Sequence, residues 1–485
     1  MLKKQITLCF FLLSVLLCLI ITGITIFVGC RDSLFIVEGI NSPLILIAIL
    51  LFIFLTAFSF FNENCVFLIL PFIFIAFPTI INNIFPGVLL STPKDLGNAV
   101  YPITNHIEIF LILLLIKHYM VFGTIKLKLS FIFSLATFLF LFSSFIAMII
   151  APESQAVVVL GVSIYPVKLI LLLQILLSNY HVENRHMSLI VRGLLMSIGF
   201  LLLESSFYSK LNAFDYLTSG SLGTNSFGNI IGQIVVFIIV YIYFYNSSIN
   251  NKLLCFMAIL IGLITVILTN TRMALLALVL NLFVFFIPQL SFNKILGISV
   301  IIAIVLLFSL QFVDTKKYDS SNITKNIKID PNQIPSLDLK KIFVVERTYA
   351  TSSIVTRLDL FQSSLNMFYD SPVWGIGYGN FNLQKYKYGF KERILIDSHN
   401  GYLFLLSQLG LIGLLWIYLI YFMPFFLYKK YNYNNPIFLL AIINTGMAIC
   451  DCTNAGIFKN SILSLLLFNS IVLYYQTQVH GKRCF

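Results

Sequence analysis

A small group of ionisable side chains interrupts the apolar runs of this chain. They are His106, Glu108, Glu204, Arg272 and Asp451, with Lys168 in the middle of a further run. Such groups are costly inside a bilayer and by default indicate a functional site. All except Lys168 fall near the outer end of their runs if the N-terminus lies inside, which predicts a polar cavity open to the outer side. For each residue the alternative is structural pairing or snorkelling to the interface.

One of the six histidines, His399, stands where a long polar segment meets an apolar run. Histidine exchanges protons near neutral pH, so a histidine at this junction could act on a substrate at the outer face. His106 lies within an apolar run, and the other four are predicted in cytoplasmic loops or the tail. The alternative is that His399 is an ordinary surface or helix-capping residue.

The composition excludes a water-soluble protein. The 485 residues are 59% hydrophobic and only 10% charged, whereas a soluble domain is about 45–50% apolar and about 25% charged. So few charges cannot cover a soluble surface, which excludes soluble enzymes, nucleic-acid binders and disordered chains. The net charge of +12 needs no anionic partner, because Lys and Arg concentrate in the cytoplasmic loops of membrane proteins.

The hydropathy pattern predicts an all-α polytopic membrane protein with about 14 transmembrane helices, each of about 20 apolar residues. The runs are roughly 5–29, 41–61, 64–81, 99–117, 129–150, 156–178, 188–206, 227–245, 253–269, 272–290, 294–312, 399–423, 436–456 and 459–476. The first run is predicted to be a retained anchor rather than a cleaved signal peptide, because its apolar stretch is too long and no small-residue cleavage site follows.

The basic residues predict the orientation. With the N-terminus inside, most Lys and Arg of the short loops fall on the cytoplasmic side, which favours both termini inside and an even number of spans. The chain then divides into helices 1–11 (residues 1–312), a large periplasmic loop (313–397), and helices 12–14 with a cytoplasmic tail (398–485). Within the loop, apolar residues at helical spacing predict an amphipathic helix on the outer membrane face. They are Ile354, Leu358, Phe361, Leu365 and Phe368.

Four short motifs occur in order around this loop. Residues 397–413 read Asp-Ser-His-Asn-Gly-Tyr-Leu-Phe-Leu-Leu-Ser-Gln-Leu-Gly-Leu-Ile-Gly, and residues 371–381 read Ser-Pro-Val-Trp-Gly-Ile-Gly-Tyr-Gly-Asn-Phe. Arg357 precedes them, and residues 269–276 read Thr-Asn-Thr-Arg-Met-Ala-Leu-Leu. Over residues 225–425 this combination resembles the O-antigen ligase and polymerase family, with polymerase favoured over ligase. The N-terminal spans match that family only in hydrophobicity.

The resemblance implies a glycosyltransferase-C-like fold and transfer of a glycan from undecaprenyl pyrophosphate to an acceptor hydroxyl. The leaving pyrophosphate needs cationic donors, and the planar guanidinium of arginine suits phosphate oxygens. Arg272 and Arg357 are the candidates for this role. His399 is the candidate base near the acceptor hydroxyl; positioning that hydroxyl without taking its proton is equally compatible.

Further residues near these motifs are assigned to substrate binding. They are Asn400, Arg347, Tyr378, Asn380 and Glu204. For Arg347 the alternative is a solvated charge paired with Glu346. The Gly375–Gly379 run lacks the preceding strand and the following Lys-Ser/Thr of a nucleotide-binding phosphate loop, so a flexible or plain loop turn fits better.

The predicted activity is polymerisation of lipid-linked repeat units of O-antigen or a similar surface polysaccharide at the periplasmic face of the bacterial inner membrane. No outer-face cluster of carboxylates and no Asp-x-Asp triplet is present in the sequence, so we expect a metal-independent transfer without cofactors or a nucleotide-sugar donor. The expected partners are the undecaprenyl-pyrophosphate-linked oligosaccharide, membrane lipid and, by resemblance, a chain-length-regulating co-polymerase, but not nucleic acid. The alternatives are an O-antigen ligase acting on lipid A-core and a flippase for the same lipid-linked unit.

Overall fold

The structure is a computed structural model that describes part of the chain. The described residues are 2–36, 53, 63–76, 87–90, 99–102, 106–127, 129–151, 153–179, 184–212, 224–244, 249–269, 272–286, 349–390 and 398–419. The predicted spans at 294–312, 436–456 and 459–476 lie outside these residues, as does the span at 41–61 apart from Ile53. Arg347, Asp451 and the first half of the large loop also lie outside them.

Helices make up most of the described chain. They are α1 (Leu2–Arg31), α2 (Glu63–Ala76), α3 (His106–Phe122), α4 (Phe131–Ile150), α5 (Ser154–Ser163), α6 (Tyr165–Asn179), α7 (Asn184–Asn212), α8 (Thr224–Phe244), α9 (Ile249–Leu268), α10 (Arg272–Phe286), α11 (Tyr349–Asp370), α12 (Phe381–Gln384), α13 (Gly401–Leu409) and α14 (Leu411–Ile417). A 3-10 turn, Lys385–Tyr388, follows α12 directly.

Three helical segments are long and apolar enough to cross a membrane. They are Lys3–Arg31, Phe131–Ile150 and Ser154–Leu176, and shorter apolar helices occur at Ser188–Leu203, Phe227–Ile239 and Leu253–Ile267. The chain is therefore a mostly helical membrane protein. The span count near fourteen and the orientation stay predictions.

The all-helical expectation is wrong in one detail, because the described chain includes a small antiparallel sheet of order β1-β2-β3. Its strands are β1 (Phe35–Ile36), β2 (Gly87–Leu90) and β3 (Ala99–Pro102). β3 occupies the start of the fourth predicted span, whose helix begins only at His106. Pro102 provides the physical reason, since proline disfavours helical backbone in the residue before it and has no amide hydrogen.

Two predicted spans are broken within their length. The sixth is divided between α5 and α6 at Ile164, where Pro166 fits the first turn of α6 but not the interior of a longer helix. The twelfth is divided between α13 and α14 at Gly410, which has a left-handed backbone with φ of 58°. The helix after the large loop therefore begins at Gly401 rather than at residue 399, and His399 lies ahead of it.

Helix α4 lies at the centre of the described packing. It contacts α1, α5, α6 and α14, and Phe133, Ala136 and Phe140 on it are fully buried. The Phe140 ring lies 5.0 Å from the ring of Tyr378 and 6.1 Å from that of Trp416. Through these aromatic contacts the membrane-spanning part supports both the segment after α11 and the helix that follows α13.

Candidate functional site

Helix α11 has two faces that matter for the site: one carries the predicted apolar stripe, and the other is buried. The helix packs against α13. Leu360, Ser363, Ser364 and Met367 are buried, and their spacing of three and four residues places them on one face. Small residues such as serine allow close helix approach. This second face was missed, because two of its four residues are serine.

The predicted stripe of α11 is more open. Leu358 has 38% of its surface exposed, and Phe361, Leu365 and Phe368 are only partly buried. At 3.6 residues per turn, Arg357 falls between this stripe and the buried face. Arg357, the basic residue of this helix, therefore lies at the boundary between the buried face and the apolar stripe.

Helix α13 starts from a tight turn that contains His399. The His399 backbone is left-handed, with φ of 50°. Asn400 is the N-cap of the helix, and its side-chain oxygen accepts a hydrogen bond from the Leu403 amide at 2.9 Å. The placement of Asn400 accounts for one amide that the first helical turn would leave without a partner.

Arg357 and His399 are brought together by the packing of α11 on α13. Burial, and next to it the positive charge of Arg357, lower the pKa of the His399 imidazole from its ordinary 6.5. Arg357 Nε is buried and makes no hydrogen bond among the described residues. The pair thus combines a histidine kept in its neutral form, able to accept a proton, with a guanidinium group whose capacity for hydrogen bonding is not filled.

The glycine-rich segment 372–381 forms main-chain hydrogen bonds with the turn at Gly410, where α13 ends and α14 begins. We call residues 371–380 and 407–411 together the loop–turn scaffold. The Ile376 and Gly377 amides donate to the Ser407 and Gln408 carbonyls at 3.1 and 3.0 Å, and the Leu411 amide donates to the Pro372 carbonyl at 2.8 Å. The segment is therefore fixed by main-chain bonds to the helix that begins after His399.

A glutamine side chain completes the loop–turn scaffold. Gln408 is fully buried; its Oε1 accepts from the Gly379 amide at 2.7 Å and its Nε2 donates to the Phe404 carbonyl at 3.0 Å. Sequence reasoning assigned Gln408 no role. A polar residue inside an apolar run was the available signal, since such a residue needs a hydrogen-bonding partner at that depth.

Two glycines of the loop–turn scaffold are required by its close contacts. Gly375 and Gly410 have left-handed backbones with φ of 67° and 58°. A Cβ atom on Gly375 would overlap the main chain of Gln408, and one on Gly410 would overlap the Pro372 carbonyl and come within 2.7 Å of Val373. Only glycine satisfies both the backbone angle and the space. The run is a packed turn, which fits the plain loop turn, one of the two alternatives drawn from the sequence.

Tyr378 and Asn380 lie inside this packing. Tyr378 is 3% exposed, and its ring lies 5.0 Å from that of Phe140 and 6.0 Å from that of Phe404. Asn380 is 2% exposed and donates to the Ile376 carbonyl at 2.9 Å. Burial raises the pKa of Tyr378 well above its ordinary value. Contact of these two side chains with substrate stays a prediction.

The remaining predicted site residues are placed by their backbones alone or lie outside the described residues. Arg272 is the first residue of α10, and Glu204 lies within α7. The described geometry therefore joins Arg357 to His399, while the approach of Arg272 to this pair stays a prediction, as do the roles of Glu204 and Arg347.

Glu108 and Lys168 form an ion pair between α3 and α6. Lys168 Nζ lies 4.0 Å from Glu108 Oε2, with side-chain exposures of 13% and 4%. Pairing reduces the cost of two buried charges. This is the structural alternative considered for the intramembrane ionisable residues, and it applies to these two.

A buried lysine near α11 was also missed. Lys385 has no exposed surface; its Nζ donates to Asn382 Oδ1 at 2.8 Å and lies 5.0 Å from the centre of the Phe390 ring. Tyr388 donates to Asp370 Oδ2 at 2.6 Å, which ties the 3-10 turn to the end of α11.

Potential metal ligands are scattered in the described part of the chain. No group of three His, Cys, Asp or Glu residues is close enough there to hold a metal ion. The independence of the reaction from metal stays a prediction.

Comparison with known families identifies the C-terminal part of the chain. Residues 256–418 match a family model described as O-antigen ligase. Over these residues the chain is similar to the O-antigen ligase and polymerase family. The match includes Arg272, Arg357, the loop–turn scaffold and His399, so the resemblance seen in the motifs is confirmed. No curated protein matches the chain significantly.

The match over residues 256–418 indicates a glycosyltransferase-like enzyme of surface polysaccharide biosynthesis. It favours glycosyl transfer over the flippase alternative. Ligase and polymerase belong to the same family, so the match does not distinguish them.

Proposed function

We propose that the protein polymerises undecaprenyl-pyrophosphate-linked repeat units of a surface polysaccharide such as O-antigen. The reaction would take place at the periplasmic face of the bacterial inner membrane and use no metal or other cofactor. Arg357, with Arg272, would bind the pyrophosphate of the donor, and His399 would act at the acceptor hydroxyl. A chain-length-regulating co-polymerase would be the protein partner.

The observation that carries this proposal is the pairing of Arg357 with His399. The acceptor oxygen forms a bond to the anomeric carbon of the donor while the bond from that carbon to the pyrophosphate oxygen breaks. The acceptor proton passes to neutral His399, and the bonding electrons leave with the pyrophosphate. The guanidinium of Arg357, whose Nε is buried, would stabilise the charge that develops on the leaving group.

The surroundings of Arg357 support a lipid-linked donor. An undecaprenyl pyrophosphate carries a charged head group directly on an apolar chain. Arg357 lies at the edge of a stripe of apolar side chains on α11, and Leu358 on that stripe is 38% exposed. A cation beside an apolar surface suits the junction between the head group and the chain of such a carrier.

The N-terminal half of the chain supports polymerase over ligase. The family match begins only at residue 256, and the more N-terminal spans carry no motif shared with the family. Polymerases act on repeat units whose sugars vary, so divergence outside the catalytic region is expected of them. The ligase remains the second candidate because the matching model is described as O-antigen ligase.

Deletion of the gene tests this choice. If the protein is the polymerase, the deletion strain retains one repeat unit on lipid A-core and loses longer chains on a lipopolysaccharide gel. If it is the ligase, the strain has bare core and accumulates lipid-linked polymer. Complementation with wild type and with His399→Ala then links the phenotype to the site; a normal chain-length ladder from the variant contradicts the proposal.

A further inference from the structure

Ser398 stands directly before His399 and is fully buried. Its hydroxyl donates to the Asn400 carbonyl oxygen at 2.7 Å and accepts from the Asn400 amide at 3.4 Å. One side chain thus bonds both main-chain groups of the residue two positions later. Serine hydroxyls commonly stabilise turns in this way.

The residue enclosed by these bonds has an unfavourable backbone. His399 has φ of 50°, a conformation that is unfavourable for a residue with a Cβ atom. Such strain persists where the surroundings hold it in place, and it collects at functional sites. Here the Ser398 hydroxyl lies on one side of His399 and the Asn400 cap on the other.

The direction of the imidazole depends on this turn. A negative φ at His399 would redirect the Cα–Cβ bond relative to the start of α13, while Arg357 stays fixed on α11 by its own packing. The bonds from Ser398 to Asn400 oppose that change because they close the turn around His399.

We infer that Ser398 is a positioning residue: its hydroxyl holds the left-handed turn that keeps the His399 imidazole beside Arg357. The inference rests on the proposed function, in which His399 acts at the acceptor hydroxyl. In this role Ser398 acts through His399 rather than on the substrate. Loss of the hydroxyl should leave donor binding intact and slow the chemical step.

The test uses purified full-length protein in proteoliposomes with the lipid-linked repeat unit as substrate. For Ser398→Ala we expect kcat to fall about 10- to 100-fold, the range expected for misplacing a catalytic group, while KM for the donor changes less than about twofold. The matched control is Ser364→Ala. Ser364 is 1% exposed, and its hydroxyl donates to the Leu360 carbonyl of its own helix at 2.7 Å, its one hydrogen bond among the described residues.

The pH profile separates positioning from a merely structural role. Arg357 on α11 is the charged group acting on His399 in the described part of the chain; α12 has no ionisable side chain, and α13 contributes Tyr402 alone. A released imidazole moves away from Arg357 and toward water, so its pKa rises. The acid limb of kcat should therefore shift to higher pH in Ser398→Ala and stay in place in Ser364→Ala.

The measurements separate this inference from the proposed function. A wild-type kcat in Ser398→Ala, or a reduced kcat with an unmoved acid limb, overturns the inference. If Ser398→Ala does not fold, Ser398→Cys decides by the same criteria, because it keeps a similar shape with weaker hydrogen bonds. His399→Ala is measured in parallel: wild-type activity there contradicts the proposed function, whereas an inactive His399→Ala beside a normal Ser398→Ala contradicts this inference alone.

Discussion

The loop–turn scaffold and the Arg357–His399 pair lie at opposite ends of α13 and are built on opposite principles. In the scaffold, main-chain groups hydrogen-bond one another, and the Gln408 side chain makes two further hydrogen bonds. The close approaches at positions 375 and 410 are possible because both residues are glycine. At the pair, a histidine adopts a left-handed backbone and a buried arginine nitrogen makes no hydrogen bond among the described residues. Asn380 Oδ1 is the one buried side-chain atom of the scaffold without a hydrogen-bond partner among the described residues, so the scaffold is mostly satisfied and stabilises the fold. Strain at a residue with a Cβ atom, together with an unpaired buried guanidinium nitrogen, is more typical of sites that act on a ligand.

This contrast predicts that substitutions at the two ends fail in different ways. Changes at the scaffold should reduce the amount of folded protein. Changes at the pair should leave a folded protein that does not catalyse.

The first expected effect is a large loss of activity in Arg357→Lys. Lysine keeps the positive charge but not the planar fork that binds two phosphate oxygens at once. We expect the elongation rate to fall about 100- to 1,000-fold, as for removal of one donor to a developing charge, with an unchanged melting temperature. Elongation is measured with the lipid-linked repeat unit in proteoliposomes. A rate within twofold of wild type would remove Arg357 from the site.

The second effect concerns stability and the scaffold. Gly375→Ala combines a left-handed backbone with a Cβ that overlaps the Gln408 main chain, and we expect a loss of about 2 to 5 kcal/mol. The matched control is Gly389→Ala, where φ is 99° and no atom lies within 4 Å of the added Cβ. Backbone strain alone, about 1–2 kcal/mol, remains there.

Thermal unfolding of detergent-solubilised protein, followed by size-exclusion chromatography, compares these two variants. The melting temperature should fall clearly further for Gly375→Ala than for Gly389→Ala. Equal shifts would mean that the close approach of Gly375 to Gln408 contributes nothing to stability.

A third effect is a shift in pH dependence. Burial and Arg357 hold the pKa of His399 below 6.5, so its neutral form persists to lower pH, and the rate falls only when the pH drops through that lowered pKa. Replacing Arg357 by glutamine removes the positive neighbour and raises the pKa. The acid limb of the residual rate in Arg357→Gln should therefore move to higher pH; a shift to lower pH, or no shift, argues against the pairing.

The smallest effect is expected at Tyr388. Burial and the hydrogen bond to Asp370 raise the pKa of Tyr388 to about 12, so the phenol stays protonated and the bond persists at ordinary pH. Tyr388→Phe should lower stability by about 0.5–1.5 kcal/mol, the range for one hydrogen bond, with unchanged elongation. A large loss of activity would extend the site to the 3-10 turn.

The sequence predicted the apolar helices well, because hydropathy is a local property. Most described helices coincide with predicted runs. The family motifs can likewise be found in the sequence alone, without any knowledge of tertiary contacts. The breaks at Ile164 and Gly410 were missed, since Pro166 and Gly410 interrupt runs whose hydropathy continues unchanged.

The site was predictable in its residue types but not in its contacts. His399 stood out by its place at a loop boundary and Arg357 by its motif. The segment around Gly375 contacts the turn at Gln408, about thirty positions later in the chain. Local sequence patterns cannot predict such a long-range contact. The task inferred for Ser398 depends likewise on a backbone angle that no sequence periodicity encodes.

The central claim is that the His399 imidazole beside Arg357 acts in the transfer. The elongation rate of His399→Asn tests this claim most directly. Asparagine tolerates a left-handed backbone, so this variant removes the imidazole and leaves the turn in place. In proteoliposomes with the lipid-linked repeat unit, we expect a folded protein whose rate is about 100- to 10,000-fold lower, the usual contribution of an acid–base group. A His399→Asn protein that elongates chains at the wild-type rate would contradict this claim.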